Sequence, residues 1–218
     1  MSRRLRIDVF FDLICPWCLI GKRQLEHALV QFRSRQPDVQ IDTQWHGVQL
    51  LPQLPVQGLP FAEFYRQRLG SVEAVEMRQE QVRQAAAAVG LNIDFSRIAT
   101  MPNTADAHRL FERVSVLGNA VQRDVLLERL FAAYFHKGED LGDRETLLQI
   151  ARSCGIDPQV VADSLLGDGR AYVGAPGGGS GVPSFQFNQG MTVVGAQPAV
   201  ALLGAMNQAL KDSERQQA

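Results

Sequence analysis

The sequence contains very little cysteine: three occur among its 218 residues, and two of them, Cys15 and Cys18, share one Cys-x-x-Cys motif. So few cysteines exclude the network of disulfide bonds that holds many small secreted domains together. Structural zinc needs four ligands, and the sequence has neither a second Cys-x-x-Cys nor a closely spaced pair of histidines to complete such a site. The motif therefore indicates redox or thiol chemistry in a reducing compartment, without a bound metal.

Excess charge and long apolar runs are equally scarce. The 22 basic and 23 acidic side chains give a formal net charge of −1, so neither a nucleic acid nor an anionic membrane is indicated as a partner. No apolar run approaches the roughly 20 residues that a membrane-spanning helix needs. Because residues 1–6 lack the apolar core and cleavage site of a secretion signal, we expect a cytoplasmic protein.

The residues around the motif predict a strand that runs into a helix. Residues 7–14 are mostly apolar, β-branched or aromatic, and apolar side chains at helical spacing follow from 19 to about 35. At this junction, unpaired backbone N–H groups and the positive end of the helix dipole favour a thiolate. We therefore expect Cys15 to be the nucleophile, Pro16 to take the first helical position, and Cys18 to lie one turn further on.

The remaining elements predict an α/β domain interrupted by helices. Residues 39–45 alternate apolar and polar side chains, as in a half-buried strand, and the proline-rich stretch 50–60 marks a domain boundary. From 61 to about 167 helix formers dominate, so we expect an all-helical insertion. Two antiparallel strands should follow at 184–188 and 192–195, and a last helix should begin at Pro198. The polar tail 211–218 should fray.

These features resemble those of a known family. The strand, the segment Asp12-x-x-Cys15-Pro16-Trp17-Cys18-x-x-Gly21-Lys22 and the helix are similar to the DsbA-like thioredoxin-fold oxidoreductases. Among these they resemble the FrnE-like branch, a relative of the 2-hydroxychromene-2-carboxylate isomerases and kappa-class glutathione transferases. Further segments follow in the order of that branch: Asn103–Leu110, Leu130–Phe135, Gly181–Phe185 and Gly195–Pro198. The resemblance implies an α/β, thioredoxin-like domain at 1–58 and 168–218, with an all-helical domain inserted at 59–167.

The resemblance also implies a second part of the site. Pro183 corresponds to the cis-proline that heads a strand in thioredoxin-fold proteins and packs against the cysteine pair. Its neighbour Val182 would offer backbone N–H and C=O groups to an extended thiol substrate. Pro16 and Trp17, between the cysteines, are further candidates for substrate binding. Trp17 either shapes the surface beside Cys15 or only covers the start of the helix.

Gln197 is the remaining candidate for substrate binding. In the glutathione-using relatives a Ser-Asp pair at this place holds the γ-glutamyl group, whereas Ala196 and Gln197 supply no carboxylate for its ammonium group. An ordinary turn from strand to helix is the alternative interpretation. We accordingly expect no tightly bound cofactor, with glutathione only as a thiol co-substrate.

Three hypotheses for function follow. In the first, a thiol–disulfide oxidoreductase acts on a disulfide- or dithiol-containing protein or small molecule: Cys15 attacks a disulfide, or the oxidised pair accepts electrons, and Cys18 resolves the mixed disulfide. The second is a glutathione-dependent isomerase or transferase, although the isomerases that resemble this chain carry serine in place of Cys15. The third is a cleft-binding or chaperone module that needs neither cysteine. We expect a monomer or homodimer, without nucleic acid or membrane.

Three other features lead to structural expectations. Cys154 continues the helical spacing of apolar residues in its segment, which predicts a core position. His108 either faces a cleft between the domains or lies on the surface or in a helix packing contact. The glycine-rich residues 174–181 predict a flexible approach to Pro183.

Overall fold

The computed structural model describes residues 3–175 and 181–217. The chain divides into two compact units, the first made of Met1–His46 and Ala175–Ala218, the second of Gly47–Gly174. Most of the glycine-rich approach predicted at 174–181 lies outside the described residues. In chain order the main elements are β1 (Arg4–Phe11), α1 (Pro16–Arg35), β2 (Gln40–Gly47), β3 (Leu59–Pro60), α2 (Phe61–Leu69), α3 (Val72–Ala87), β4 (Thr100–Met101), α4 (Ala105–Leu117), α5 (Ala120–Ala132), α6 (Arg144–Ser153), β5 (Ser184–Phe187), β6 (Thr192–Val194) and α7 (Ala199–Gln217).

The first unit is built on a four-stranded sheet with the order β2-β1-β5-β6. Strand β5 runs antiparallel to both neighbours, with Phe185 opposite Val9 of β1 and opposite Val193 of β6. The strands β1 and β5 are thus adjacent in the sheet although the whole second unit separates them in sequence. This arrangement places the end of β1 beside the start of β5.

One apolar cluster holds this sheet against α1 and α7. Alternate side chains of β1 point to the same face of the sheet, where the apolar stripes of the two helices cover them. Each such side chain contributes about 1.5–3 kcal/mol on full burial. The fully buried members of the cluster are Leu5, Ile7, Ala28, Phe32, Phe185, Phe187, Leu202 and Met206. The cluster therefore fixes β1 and α1, which flank the Cys-x-x-Cys motif.

The turn between β5 and β6 is tight, as predicted. Asn188 and Gln189 have positive φ angles of 48° and 60°, and Gly190 N donates a hydrogen bond to Phe187 O at 2.9 Å. Two successive residues in the left-handed region match the twist of a hairpin. The antiparallel hairpin expected from this sequence is confirmed.

Helix α7 is longer than the sequence indicated. It extends to Gln217, so the expectation that residues 211–218 fray is wrong for the described part of that tail. Its last turns are held by residues distant in sequence: Ser213 Oγ accepts a hydrogen bond from Asn188 Nδ2 at 2.7 Å, and Glu214 forms an ion pair with Arg3 at 2.8 Å.

The second unit is predominantly helical, with one small exception to the all-helical prediction. Strands β3 and β4 pair antiparallel over two residues each, Leu59 opposite Met101 and Pro60 opposite Thr100. Segments this short show no alternation that a sequence pattern could reveal. The rest follows the prediction, and Gly70 and Gly138 end helical segments in the left-handed conformation that glycine tolerates.

The second unit begins at Gly47 and ends at Gly174, whereas the sequence analysis placed the domain boundaries at 58/59 and 167/168. The proline-rich stretch 50–60 belongs to this unit because it packs there. Leu54 is buried, and its carbonyl oxygen accepts a hydrogen bond from Asn103 Nδ2 at 2.7 Å.

Helix α5 is followed directly by the π-helical turn Ala133–Lys137. An apolar stripe along these two segments is completely buried in the second unit, with at most 1% of each residue exposed: Leu127, Leu130, Phe131, Tyr134 and Phe135. The stripe is a packing surface of the core.

Candidate active site

Cys15 occupies the junction between β1 and α1 that the sequence indicated. Its backbone is extended (φ −89°, ψ 109°), and Pro16 is the first residue of the helix. Polar residues at this position usually bond to the exposed N–H groups of the first turn, but the Cys15 side chain makes no such bond. Because the first turn of α1 contains no acidic residue, the helix dipole favours negative charge at this end.

Cys18 lies one helical turn further on and is buried more deeply. It is 1% exposed, compared with 8% for Cys15. Burial raises the pKa of the Cys18 thiol well above its ordinary value, and the neighbouring Cys15 sulfur raises it further. The backbone N–H of Asp12 points at Cys18 Sγ at 3.5 Å. Both cysteines are free thiols in this structure, and the two sulfurs lie in different environments.

Val182 and Pro183 lie beside Cys15. The Cys15 thiol is 3.9 Å from Val182 O, which accepts a weak hydrogen bond from it. The bond between Val182 and Pro183 is cis, as the resemblance implied. Pro183 is buried, and its carbonyl oxygen accepts a hydrogen bond from Gly195 N at 2.7 Å. The structure thus brings together both cysteines and the two residues at the head of β5.

Gly21 makes room for this arrangement on the helix side. A methyl group added to Gly21 would lie 2.9 Å from Pro183 Cγ and 3.1 Å from Phe185 Cζ. A side chain at this position would therefore collide with the proline ring. Gly21 follows Cys18 by three residues, about one helical turn, and this spacing is the sequence signal for its role.

The other predicted binding residues are less constrained. Pro16 and Trp17 are half-buried. Gln197 is exposed, and its donors serve the local turn: its N–H donates to Gly195 O at 2.8 Å and its Nε2 to Val194 O at 3.1 Å. A role for these three residues in substrate binding stays a prediction.

A polar cluster that the sequence analysis missed lies in the same unit, around Asp8 of β1. Arg6 donates to both carboxylate oxygens of Asp8 at 2.8 Å, and His46 Nε2 lies 2.7 Å from Oδ1. Burial opposes ionisation of Asp8, but the hydrogen bonds from Arg6 and His46 outweigh it, so the pKa of this carboxyl is below its ordinary value. The His46 ring also stacks on Phe10, with ring centroids 5.0 Å apart.

Cys154 does not lie in the core, contrary to the prediction. It is half-buried at the C-terminal cap of α6, with Sγ 4.0 Å from Ser153 Oγ. The helix ends at Ser153, so the next side chain no longer follows the buried stripe of α6. Partial burial raises the pKa of the Cys154 thiol.

His108 is completely buried within the second unit. Its ring stacks on that of Tyr172, with centroids 5.1 Å apart and planes inclined by 18°. These surroundings agree with a packing contact, one of the alternatives that the sequence left open for His108.

Comparison with known proteins places the chain in a family. The sequence model described as the DSBA-like thioredoxin domain matches residues 6–171, more than half of the chain. The chain belongs to the DsbA-like thioredoxin family. The predicted resemblance and the thioredoxin-like α/β fold with a helical insertion are thereby confirmed. Members of the DsbA-like family are thiol oxidoreductases.

Solved structures agree with this assignment. The probable DsbA oxidoreductase of Streptomyces coelicolor is 26% identical, with a TM-score of 0.79 over 94% of this chain and 89% of that one. Two others show the shared fold at lower identity. A 2-hydroxychromene-2-carboxylate isomerase is 13% identical, with a TM-score of 0.61 over 96% and 98% of the two chains. The cytosolic disulfide reductase DsbM of Pseudomonas aeruginosa, solved with GSH, is 15% identical, with a TM-score of 0.54 over 97% and 98%.

A search for membrane spans among residues 3–175 and 181–217 found no helix that combines sufficient length with sufficient apolar character to cross a bilayer.

Proposed function

We propose that this DsbA-like protein is a thiol–disulfide oxidoreductase in which Cys15 is the nucleophile and Cys18 the resolving cysteine. The observation that carries the proposal is the difference between the two sulfurs. Cys15 sits at the start of a helix with no acidic residue in its first turn, whereas the pKa of the buried Cys18 thiol is raised. The first environment favours a thiolate that attacks, and the second keeps a proton until the later step.

The chemistry in the reductive direction has two steps. The Cys15 thiolate attacks one sulfur of a substrate disulfide, forms a mixed disulfide, and releases the other substrate sulfur as a thiolate that takes up a proton. Cys18 then loses its proton and attacks the Cys15 sulfur, which releases the second substrate sulfur. Two electrons pass to the substrate, and Cys15 and Cys18 are left as a disulfide. In the oxidative direction the same steps run backwards, from a substrate dithiol to the oxidised pair.

Val182 and Pro183 supply the proposed substrate edge. Val182 O lies 3.9 Å from Cys15 Sγ. The backbone of a substrate peptide whose sulfur is bonded to Cys15 would therefore pass close to this carbonyl. An extended peptide could donate an N–H group there, which gives affinity without selecting a side chain. Pro183 is held from both sides, by Gly21 and by the bond from Gly195 N. Pro16, Trp17 and Gln197 are proposed as the flanking contacts.

The proposed substrate is a disulfide- or dithiol-containing protein or small molecule. Glutathione is proposed as a thiol co-substrate that returns the pair to its reduced form, with no cofactor held permanently. We also propose a cytoplasmic location and a monomeric or homodimeric state, without nucleic acid or membrane as partner.

Insulin reduction tests the proposal directly. Wild-type protein with glutathione as reductant should reduce insulin, and Cys15→Ser should abolish the activity. Cys18→Ser should accumulate mixed disulfides, because the resolving step is lost. Cys154→Ser is the matched control, since this half-buried thiol lies in the other unit, and it should retain full activity.

The outcomes also separate the other functions. Reductase activity that survives in Cys15→Ser would rule out the proposed mechanism. Isomerisation of an aromatic substrate with glutathione, at a rate independent of Cys18, would favour the isomerase class. Suppression of insulin aggregation by the protein lacking both motif cysteines, without reduction, would favour a chaperone.

A further inference from the structure

Strand β2 forms one edge of the four-stranded sheet. The order β2-β1-β5-β6 leaves β2 and β6 at the two edges, and no further strand among residues 3–175 and 181–217 pairs with either of them. Strand β6 has only three residues, whereas β2 has eight. An edge of this length presents a row of backbone N–H and C=O groups to a second strand.

The sequence of β2 lacks several features that keep an edge strand from pairing. Many proteins protect their edges with lysine or proline residues, or make the edge strand very short. The sequence QIDTQWHG contains no lysine, arginine or proline, and Asp42 is its only acidic residue. Gln40 and Asp42 are exposed, and residues 43–46 are half-buried. The strand is therefore accessible to a partner and carries little charge that would repel one.

The outward-facing backbone groups of β2 belong to its odd-numbered residues. Gln40 N donates a hydrogen bond to Arg3 O at 2.9 Å, so Gln40 faces the β1 side. Because the backbone groups of successive residues in a strand point to alternate sides, residues 41, 43 and 45 face outward. Gly47 also faces outward, but a methyl group on Gly174 would lie 2.3 Å from Gly47 O. Gly174 thus already lies against that carbonyl, and the outer groups left for a partner are those of residues 41–45.

A second copy of β2 fits this edge in one register. Two copies of a strand pair antiparallel about a twofold axis. The axis must pass through a residue, because a shift by one residue moves every side chain to the other face. An axis at Asp42 would set two carboxylates opposite each other, and an axis at Gln44 would set Ile41 opposite Gly47, whose carbonyl Gly174 already covers. The remaining position for the axis is Thr43.

The side chains on both faces are complementary in this register. Ile41 and Trp45 pack against the apolar cluster of the first unit but stay half-buried. Opposite each other across the axis, they would cover the apolar surface that one chain leaves open. On the other face Asp42 would lie opposite Gln44, whose amide donates to Asp42 Oδ1 at 2.6 Å within one chain. The register sets no like charges opposite each other.

We propose that two copies of this chain associate through their β2 strands, with the twofold axis at Thr43. The two sheets then form one continuous sheet, four strands from each copy. Thr43 exchanges backbone hydrogen bonds with its counterpart, and Ile41 does so with Trp45 of the second copy. The contact is smaller than that of a permanent dimer, so the association is reversible, in the micromolar range. The proposal selects the homodimer from the two states proposed above and does not depend on the redox chemistry.

Sedimentation equilibrium of the purified full-length protein between about 1 and 100 µM tests the association. The average mass should rise with concentration from one chain towards two. Thr43→Lys should weaken the association by about tenfold, because two ammonium groups would then oppose each other at the axis. Thr192→Lys is the matched control: it makes the same change on β6, the other edge of the sheet, and should leave the association unchanged. Urea unfolding of both variants checks that they are folded.

Thr43→Cys tests the position of the axis without added charge. The two copies of residue 43 would have Cα atoms about 5.5 Å apart, within the range in which disulfides form. Mild oxidation should give a covalent dimer, and peptide mapping should place the link at residue 43. Thr192→Cys, treated in the same way, should give no link at residue 192.

Each result bears on a separate part of the inference. A wild-type protein that stays monomeric over the whole concentration range would overturn the proposal. A dimer that Thr43→Lys and Thr192→Lys affect equally, or one without a link at residue 43 in Thr43→Cys, would show that the copies meet through another surface. Failure of the wild type to reduce insulin would count against the proposed function alone, because the association is measured without a substrate.

Discussion

The ring of Pro183 lies against the backbone of Gly21, so close that α1 has no space for a side chain at that point. The contact joins the helix that carries the cysteines to the strand that carries the proposed substrate edge. It also fixes the position of Pro183 relative to the cysteines, which lie far away from it in sequence.

Gly21→Ala should therefore damage the site without touching a cysteine. The added methyl group should destabilise the protein by about 1–3 kcal/mol and shift Pro183, because a packed core accommodates extra volume poorly. Gly204→Ala is the control: Gly204 also lies in a helix of the first unit, but its added methyl group would meet no atom within 4 Å. It should be neutral or stabilising by about 0.5–1 kcal/mol. Urea unfolding and insulin reduction measure both effects, and equal behaviour of the two variants would contradict the contact.

The three cysteines should differ in reactivity. A brief iodoacetamide pulse at pH 7 should label Cys15 faster than Cys18 or Cys154, because burial raises the pKa of both latter thiols and so lowers the fraction of each that is thiolate. Peptide mass spectrometry after quenching gives the three rates. The Cys18→Ser variant should keep the fast site and Cys15→Ser should lose it. Equal rates at Cys15 and Cys18 would contradict the assignment of the nucleophile.

Oxidation should form one disulfide. Cys15 and Cys18 lie on one helical turn in the first unit, whereas Cys154 is half-buried at the end of α6 in the second. Mild oxidation should therefore link Cys15 to Cys18 reversibly and leave Cys154 as a thiol that reacts after denaturation. Peptide mapping without reduction measures this. A bridge from Cys154 to either motif cysteine would show that the helical unit takes part in electron transfer.

The Asp8 cluster predicts a pH-dependent stability. A carboxyl whose pKa is lower in the folded than in the unfolded state contributes stability above the unfolded value of about 4, and this contribution is lost as the pH falls through the folded pKa. Asp8→Asn should lower the free energy of unfolding by about 2 kcal/mol at pH 7, since the bonds from Arg6 and His46 are weakened. The difference from wild type should shrink below about pH 4.

Urea unfolding between pH 3 and pH 7 measures this difference. The exposed Asp124→Asn should stay within about 0.5 kcal/mol of wild type at pH 7 and serves as the control. A constant difference between wild type and Asp8→Asn over the whole range would contradict the role given to the ionised carboxylate.

Local patterns were sufficient to predict much of this fold. The strand before Cys15, the helix that begins at Pro16 and the hairpin at Asn188 each depend on residues close together in sequence, where periodicity and turn preferences act. The family resemblance added Pro183, which no local pattern connects to Cys15. Sequence reasoning succeeded where one segment determines its own structure, or where a known family supplies the pairing.

The remaining features depend on contacts between distant segments. The proline-rich stretch resembled a domain boundary because no residue near Leu54 indicates that the Leu54 carbonyl accepts a hydrogen bond from Asn103. Likewise Asp106 and Arg109 look like ordinary charges on a helix surface, and only the folded chain shows the backbone groups that they hold. Cys154 was misplaced because the helical stripe was extended past the residue where the helix ends.

The close approach of Gly174 to Gly47 affects the order in which the chain can fold. Pairing of β1 with β5 joins Val9 to Phe185, a contact that requires closure of a very long loop in an unfolded chain. If the helical unit folds first, its two ends are already adjacent and the effective loop is about four times shorter, which lowers the entropic cost by about 1 kcal/mol. Pulse-labelling hydrogen exchange during refolding should then protect amides of α4 and α5 before those of β1 and β5. The helical unit would then form before the unit whose two segments flank it in sequence.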